Sequence, residues 1–252
     1  MKVRLTTFTY NEERIIPYFL RHYRWVDEIY IYDNQSTDRT VEIARSFPNV
    51  KGIGIVDTGG KHDNEYQRMM KNNEWKPARD DRLNSPRWQI VVDCDEFLII
   101  RQGSLRDYLH MLEGRSISIV PSIGYNMVDT VPLPLTFPVE RDLADMYVHG
   151  VEAPEYGKPC IFDPVTVRDM NYTPGGHECI PSGYVKYSVP EVKLLHYRFF
   201  GYEDWKVRNR QAMERRKNED PNNDSYRIWN TQLDTEEKWK TYFKFYQRRI
   251  VT

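Results

Sequence analysis

Trp88-Gln89-Ile90-Val91-Val92-Asp93-Cys94-Asp95-Glu96-Phe97-Leu98 is the stretch on which the reading of this chain turns. Ile90, Val91 and Val92 form a short apolar, β-branched run, the pattern of a strand covered on both faces. The run breaks into three acids with only Cys94 between them. An unpaired carboxylate in a core is too costly to carry, so the strand is expected to end there and open into a cleft. In open α/β sheets, ligands bind at that edge. Asp93 and Asp95 have Asp-x-Asp spacing, and in an extended chain they point the same way. Two hard carboxylate oxygens on one side suit Mg²⁺ or Mn²⁺, and such an ion also takes oxygens from a diphosphate. A solvated or helix-capping loop is the plainer reading of a short acidic cluster. Such a loop has little reason to sit between the apolar strand in front and Phe97-Leu98-Ile99-Ile100 behind.

Upstream, the pattern is strand then helix, three times over. Val3–Phe8 reads as a strand, and Asn11 is expected to cap a helix with Glu12 and Glu13 in its first turn, where the helix dipole favours acids. Ile29–Tyr32 reads as a second strand ending in the turn-rich Asp33-Asn34-Gln35-Ser36-Thr37-Asp38, followed by a helix from Thr40 to Phe47. Ile53–Val56 is a third strand closed by Asp57-Thr58-Gly59-Gly60, and His62 to Trp75 is helical in spacing. Arg79 to Pro86 is read as a charged loop. The alternation predicts a parallel sheet wound by right-handed crossovers. The strand ends would then bring Thr9 and Asn11, Asp33 and Asn34, Asp57, and Asp93 and Asp95 to one rim. There is no GxGxxG after the first strand and no GxxxxGK[ST], so neither a dinucleotide fingerprint nor a P-loop is present.

Downstream, Ser104 is expected to cap a helix through Leu112, and Ile117–Pro121 reads as a strand. The stretch from Gly124 to Tyr156, broken by Pro132, Pro134 and Pro138, is read as one long irregular segment that covers the substrate. Cys160–Arg168 reads as a strand, Thr173–Glu178 as a tight turn, and Val192–Leu195 as a strand ending in His196-Tyr197-Arg198. From Tyr202 the pattern is helical and highly charged. The run Glu214-Arg215-Arg216-Lys217 is read as a solvated helix face. The aromatic, basic end (Trp239, Tyr242, Phe243, Phe245 and Tyr246 with Lys240, Lys244, Arg248 and Arg249) could touch a membrane surface, or pack back on the domain.

The 252 residues carry a formal net charge of −1, which argues against a general nucleic-acid binder without excluding a local basic groove. Eighteen Tyr and six Trp are compatible with rings stacked on sugars and equally with an aromatic core. Three scattered cysteines without a CxxC pair disfavour a zinc ribbon and, with no secretory leader apparent, lead to the expectation of a cytoplasmic protein. No apolar run reaches membrane-spanning length.

Four segments, "FTYNEERIIPYFLRHY", "IYIYDNQSTDRT", "WQIVVDCDEFL" and "LLHYRFFGYEDW", together resemble the nucleotide-sugar glycosyltransferases of the GT-A fold, in the family 2 superfamily and its family 92-like branch. The likeness covers about residues 1–205. It implies an α/β fold with a mostly parallel central sheet flanked by helices. Residues 1–100 would be the nucleotide-binding half, 101–200 the acceptor half and 201–252 a helical C-terminal extension. By resemblance, Thr7, Thr9, Asn11 and Glu12 would line the nucleotide pocket and Asp33 would contact base or ribose, with Asn34 shaping its turn. Asp57 and Arg68 would lie near the donor. Asp93 and Asp95 would form the metal motif for Mn²⁺ or Mg²⁺, with Asp95 favoured as direct ligand and His196 as a further one. Lys158 and Arg198 are candidate cations for the diphosphate.

The implied reaction is transfer of a sugar, with inversion, from a nucleotide diphosphate sugar (a UDP-sugar is the first expectation) to a glycan or surface-polysaccharide acceptor. A divalent ion would stabilise charge on the leaving diphosphate, and a base would take the acceptor proton. That base is sought among Asp129, Glu140, Asp142, Asp145, Glu152, Glu155, His149, His177 and Glu178, with His177 or Asp145 preferred. Peripheral membrane contact stays open, and nucleic acid is disfavoured. The alternatives are a nucleotidyltransferase acting on sugar phosphates, and a non-catalytic sugar-binding module.

Overall fold

The computed structural model describes residues 1–80, 84–129, 131–134, 139–216, 233–244 and 248–249. Pro138, Lys217, Phe245, Tyr246 and part of the Arg79–Pro86 loop lie outside them, as do the side chains of Arg216, Arg248 and Arg249.

The chain has the α/β architecture expected from its strand–helix alternation, a largely parallel sheet with helices in its connections. Strands β1 (Val3–Thr9), β2 (Glu28–Asp33), β3 (Val50–Ile55) and β4 (Trp88–Val91) pair in parallel, in the order β3-β2-β1-β4. The connections carry helices α1 (Ile16–His22), α2 (Thr40–Arg45), α3 (Asn64–Asn73) and α4 (Lys76–Asp80). The carboxyl ends of these strands therefore share one edge. β1 and β4 sit in the middle and are almost wholly buried, which is why β4 reads as an apolar run rather than as alternation.

Beyond β4 the chain leaves this sheet. β5 (Glu96–Ile100) begins one turn later, but it pairs in a second sheet. After α5 (Leu105–Leu112), capped by Ser104, come β6 (Ile119–Val120), β7 (Ser122–Asp129), α6 (Leu143–Met146) and β8 (His149–Glu152). They are followed by β9 (Ile161–Phe162), β10 (Val167–Asp169), β11 (Ser182–Gly183) and β12 (Val192–Phe200). β9 runs antiparallel to β4 and carries β6, completing the first sheet, while β10 and β11 form a small hairpin. The second sheet has the order β13-β8-β7-β12-β5, where β13 is Arg248–Arg249. Helices α7 (Gly201–Arg216) and α8 (Glu236–Lys244) follow β12. Asp93-Cys94-Asp95 is thus the point at which the chain crosses from one sheet to the other. Between the sheets lies an apolar core in which Phe97 packs edge-on to Phe19 and Tyr197.

Several local expectations differ from what the chain does. Asn11 does not cap α1: it takes a left-handed backbone (φ 53°), the helix opens at Ile16 behind Ile15, and no acid lies in its first turn. Asn11 instead accepts the Thr37 N–H at 2.8 Å and donates its own N–H to Ser36 Oγ at 2.8 Å. The Glu12 N–H donates to Thr40 Oγ1 at 2.7 Å and the Glu13 N–H to Asp38 at 3.1 Å. The polar residues after β1 and β2 therefore zip two loops together. Gly124–Tyr156 is not one irregular segment, because its first residues are the middle of β7, with α6 and β8 behind them. The prolines that suggested irregularity are confined to the connection after Asp129. Cys160–Arg168 is two short strands split by a turn, since the Asp163 side chain accepts the Val165 N–H at 3.0 Å. Val192–Leu195 is the start of a nine-residue strand that carries His196 and Arg198 inside it.

Candidate functional site

A cavity of about 510 Å³ opens where β1, β2, β3 and β4 end. Its walls come from five parts of the chain: the β1 end (Thr9, Tyr10, Glu12), the β2 and β3 ends (Asn34, Val56, Thr58), α3 and its approach (His62, Tyr66, Met70), the acidic crossover (Asp93, Asp95), and the far side (Tyr156, His177, His196, Arg198, Arg215). Asp93 and Asp95 both face it.

The two aspartates are held differently. Asp93 is tied by the Lys71 ammonium, which donates to its Oδ2 at 2.8 Å and to the Gly175 carbonyl at 3.3 Å. Lys71 is only 3% exposed. Lys158 stands 3.8 Å from the same oxygen, but its closer partner is Glu96 at 2.7 Å, and both of those side chains are sealed from solvent. Glu96 in turn accepts the Asp93 N–H at 2.8 Å, closing the turn that lets the chain change sheets. Burial alone would raise the Asp93 pKa; Lys71 and then Lys158 outweigh it and hold the carboxyl well below its usual range. Within this group the two acids, Asp93 and Glu96, are balanced by two lysines.

Asp95 faces the other way, towards β12. Its Oδ2 lies 3.6 Å from His196 Nε2 and 3.4 Å from an Arg208 Nη2 of α7. The His196 Nδ1 is 3.1 Å from Asn126 Oδ1, its partner across the β7–β12 ladder. An amide oxygen only accepts, so Nδ1 carries the ring proton and Nε2 presents a lone pair. Burial, the largest influence, pushes the His196 pKa down to about 3, so the ring is neutral. Tyr156 stacks on it at 4.1 Å between centroids. Nε2 and the Asp95 carboxylate are thus two acceptors facing each other across a gap, an arrangement that asks for a cation.

Among the described residues, no three His, Cys, Asp or Glu side chains converge closely enough to hold a metal ion alone. Asp95 and His196 offer two donors of suitable kind, and a hard dication would fill its remaining positions with water and phosphate oxygens. Arg208 bridges Glu12 at 2.7 and 2.9 Å and reaches Asp95, in a recess that Arg198 and Arg215 also line. The residues present therefore fit a divalent cation on the Asp95 side.

The other residues singled out from sequence fall into three groups. Thr9, Glu12, Asn34 and Arg198 line the cavity with Asp93, Asp95, His177 and His196. Asp33, Thr7 and Lys158 are buried and do not line it. Asp33 accepts from Thr9 Oγ1 at 2.9 Å and from the Ser36 N–H at 2.8 Å, which locks the β2 turn. The Thr7 hydroxyl has no hydrogen-bond partner among the described residues. Asn11, Asp57, Arg68 and Asp145 also lie outside the lining. Asn11 rims a second cavity of about 290 Å³, Asp57 accepts the Gly59 N–H in its own turn, and Arg68 pairs with Glu65 along α3. Asp145 is exposed in the first turn of α6.

Of the two candidate bases, then, His177 alone is in the cavity wall. It sits beyond the Pro174–Gly176 turn, edge-on to Tyr156 at 5.3 Å. That turn needs its glycines. Gly176 has φ +74°, and a Cβ there would meet Lys71 Nζ at 3.2 Å. Partial desolvation, followed by Lys158, lowers the His177 pKa, which favours the neutral ring even though the residue is exposed to solvent.

Lys71, Asn126, Tyr156, Arg208 and Arg215 carry no sequence signal that would have selected them. Arg215, placed in a solvated charge run, in fact lies over the Tyr10 ring at 3.8 Å and donates to the Lys61 carbonyl at 2.9 Å.

No protein-family model matches the sequence, and no curated protein matches it. Solved structures give partial likenesses. Glucosyl-3-phosphoglycerate synthase from Mycobacterium tuberculosis, in complex with Mn²⁺, UDP and glucosyl-3-phosphoglycerate, is similar at 19% identity and a TM-score of 0.32, over 49% of this chain and 44% of that one. HddC from Yersinia pseudotuberculosis is similar at 13% identity and a TM-score of 0.36, over 82% of this chain and 97% of that one. A 4-diphosphocytidyl-2C-methyl-D-erythritol synthase is similar at 14% identity and a TM-score of 0.34, over 66% of this chain and 77% of that one. The chain spans less than half the length of the first of these. At such TM-scores the site stands on its own geometry. No helix among the described residues is long and apolar enough to cross a membrane.

Proposed function

We propose that the protein is a metal-dependent glycosyltransferase that moves a sugar, with inversion, from a nucleotide diphosphate sugar, UDP-linked in the first instance, to a glycan acceptor. The observation that carries this reading is the acceptor-to-acceptor face of Asp95 and His196 in the wall of a cavity at the ends of four parallel strands. Asp95 and His196 would hold Mn²⁺ or Mg²⁺, which when bound supplies Lewis-acid stabilisation of the leaving diphosphate.

The chain's own groups do the rest. Tyr10, Asn34, Val56 and Thr58 form the part of the wall suited to a nucleoside, mixing ring, aliphatic and amide surface. Arg198 faces the same cavity and offers charge-assisted donors to phosphate oxygens. Asp93, neutralised by Lys71, keeps the crossover rigid and offers its remaining carboxylate oxygen to a ribose or sugar hydroxyl. His177, in the cavity wall beyond the Pro174–Gly176 turn, takes the proton of the acceptor hydroxyl as it attacks.

Calorimetry with UDP in the presence and absence of Mn²⁺ tests the reading. Mn²⁺-dependent binding that is lost in Asp95→Ala is expected. Absence of binding in the wild type, or undiminished binding in the variant, overturns it. Slow Mn²⁺-dependent release of UDP from a UDP-sugar separates an enzyme from a passive sugar-binding module.

A further inference from the structure

Helix α7 reaches into the site through Arg208. One Nη2 donates to both Glu12 oxygens, at 2.9 and 2.7 Å, and stands 3.4 Å from Asp95 Oδ2. Nη1 donates to the Tyr197 carbonyl at 3.3 Å, on the strand that carries His196. The Asp95 oxygen that meets Arg208 is the same one that faces His196 Nε2. A divalent cation on Asp95 and His196 would need an oxygen at about 2.0–2.2 Å, and a guanidinium cannot keep its place on that oxygen at no electrostatic cost. Glu12, by contrast, binds Arg208 through two oxygens and is not shared with His196.

We propose that Arg208 is a resident counter-cation that exchanges with the metal. Bridging Glu12 and reaching Asp95, it offsets both carboxylates. When the ion arrives, Arg208 leaves Asp95, stays tethered to Glu12, and turns its freed N–H donors to the diphosphate. Its surroundings suit that second role. A recess of about 160 Å³ beside Asp95 is walled by Arg198, Arg208 and Arg215 with Glu12, so cations outnumber acids there once Asp95 is engaged. A planar guanidinium matches phosphate oxygens in pairs. Arg208 is a positioning residue on this account: it sets how readily Asp95 takes the ion, and couples that event to nucleotide retention. The inference rests on reading the cavity as a metal–diphosphate site.

The full chain is titrated with Mn²⁺ alone, followed by the loss of the free-ion electron paramagnetic resonance signal, and then with UDP at saturating Mn²⁺. Removing a competitor tightens binding, so Arg208→Gln is expected to bind Mn²⁺ about three- to tenfold more tightly than wild type. The same variant is expected to bind UDP roughly tenfold more weakly, for loss of a charge-assisted donor. A purely structural bridge from α7 predicts the opposite first result, with Mn²⁺ binding unchanged or weaker. Arg208→Lys cannot span Glu12 and Asp95 together; it is expected to fall between wild type and Arg208→Gln, and it decides the matter if the glutamine variant fails to fold. Lys206→Gln removes a positive charge from α7 at its exposed pair with Glu203, outside the recess. If it tightens Mn²⁺ binding as much as Arg208→Gln does, counter-cation exchange is wrong. A wild type that binds no Mn²⁺ removes the metal-site reading and this inference together, whereas unchanged or weaker Mn²⁺ binding in both Arg208 variants removes the inference alone.

Discussion

Replacing Lys71 by Met tests whether the first aspartate is held by protein rather than by ligand. Met keeps the unbranched stem that packs beneath Gly176 and removes only the ammonium. Breaking a buried ion pair by deleting one partner costs about 3–5 kcal/mol when the survivor is fully desolvated. Here Asp93 keeps 34% of its side chain exposed, and Lys158 remains 3.8 Å away, so roughly half of that is expected, about 2 kcal/mol. For a chain of this size, that corresponds to a fall in Tm of about 4–8 °C. The pH dependence carries the sharper signature. Lys71 depresses the Asp93 pKa below its reference value of 3.8. The stabilisation is therefore complete above that value and is lost as pH falls through the folded-state pKa, when the carboxylate becomes protonated. Urea unfolding with a chelator present, from about pH 7 to about pH 3, should show a gap between wild type and Lys71→Met that is constant at the upper end and narrows at the lower. A gap smaller than about 0.5 kcal/mol at neutral pH, within the range of ordinary surface substitutions, would refute the clamp. So would a gap as wide in acid as at neutrality.

Three further outcomes follow from the same geometry. Asn126→Leu removes the acceptor that fixes the His196 tautomer and should weaken Mn²⁺ binding about 10–100-fold, with Asn126→Asp retaining it, as read by paramagnetic resonance. His177→Gln should lower kcat by about 10²–10⁴-fold while UDP–Mn²⁺ affinity measured by calorimetry stays within twofold of wild type; an unaltered kcat moves the base elsewhere. Gly176→Ala forces a left-handed alanine against Lys71 and should cost about 1–2 kcal/mol in thermal unfolding, through backbone conformation rather than lost contacts.

The parallel half of the fold was legible because its physics is local. β4 is covered on both faces, so its apolar run needed no knowledge of partners, and the polar residues that follow each strand had to share an edge once the strands were parallel. The second sheet was not legible. β7 lies in the middle of it, between β12 and β8, but Gly124, Asn126 and Asp129 interrupt its pattern, and the prolines that follow suggested disruption of the whole stretch. Its regularity comes from pairing with a strand some seventy residues away, as in the Asn126–His196 contact. Motif residues were misassigned for a related reason. Asn11 and Asp33 looked like ligands because polar groups at strand ends usually are, yet each spends its hydrogen bonds joining the β1 and β2 loops.

The unequal roles of Asp93 and Asp95 follow from the same dependence on distance in sequence. Separated by one residue in the chain, they are chemically identical, and spacing alone makes them a symmetric pair. What separates them is where the chain crosses between sheets. Asp93 belongs to the end of the first sheet, whose neighbours are α3 with Lys71 and the segment leading into β9 with Lys158. Asp95 belongs to the start of the second, where the Tyr197 N–H donates to its carbonyl at 2.7 Å and the adjoining residue is His196. One side supplies ammonium groups already paired with its acids, and the other a neutral ring with a lone pair. A dication finds the first carboxylate neutralised and is held by the second, so the crossover converts a repeated acid into one anchoring group and one group open to a ligand.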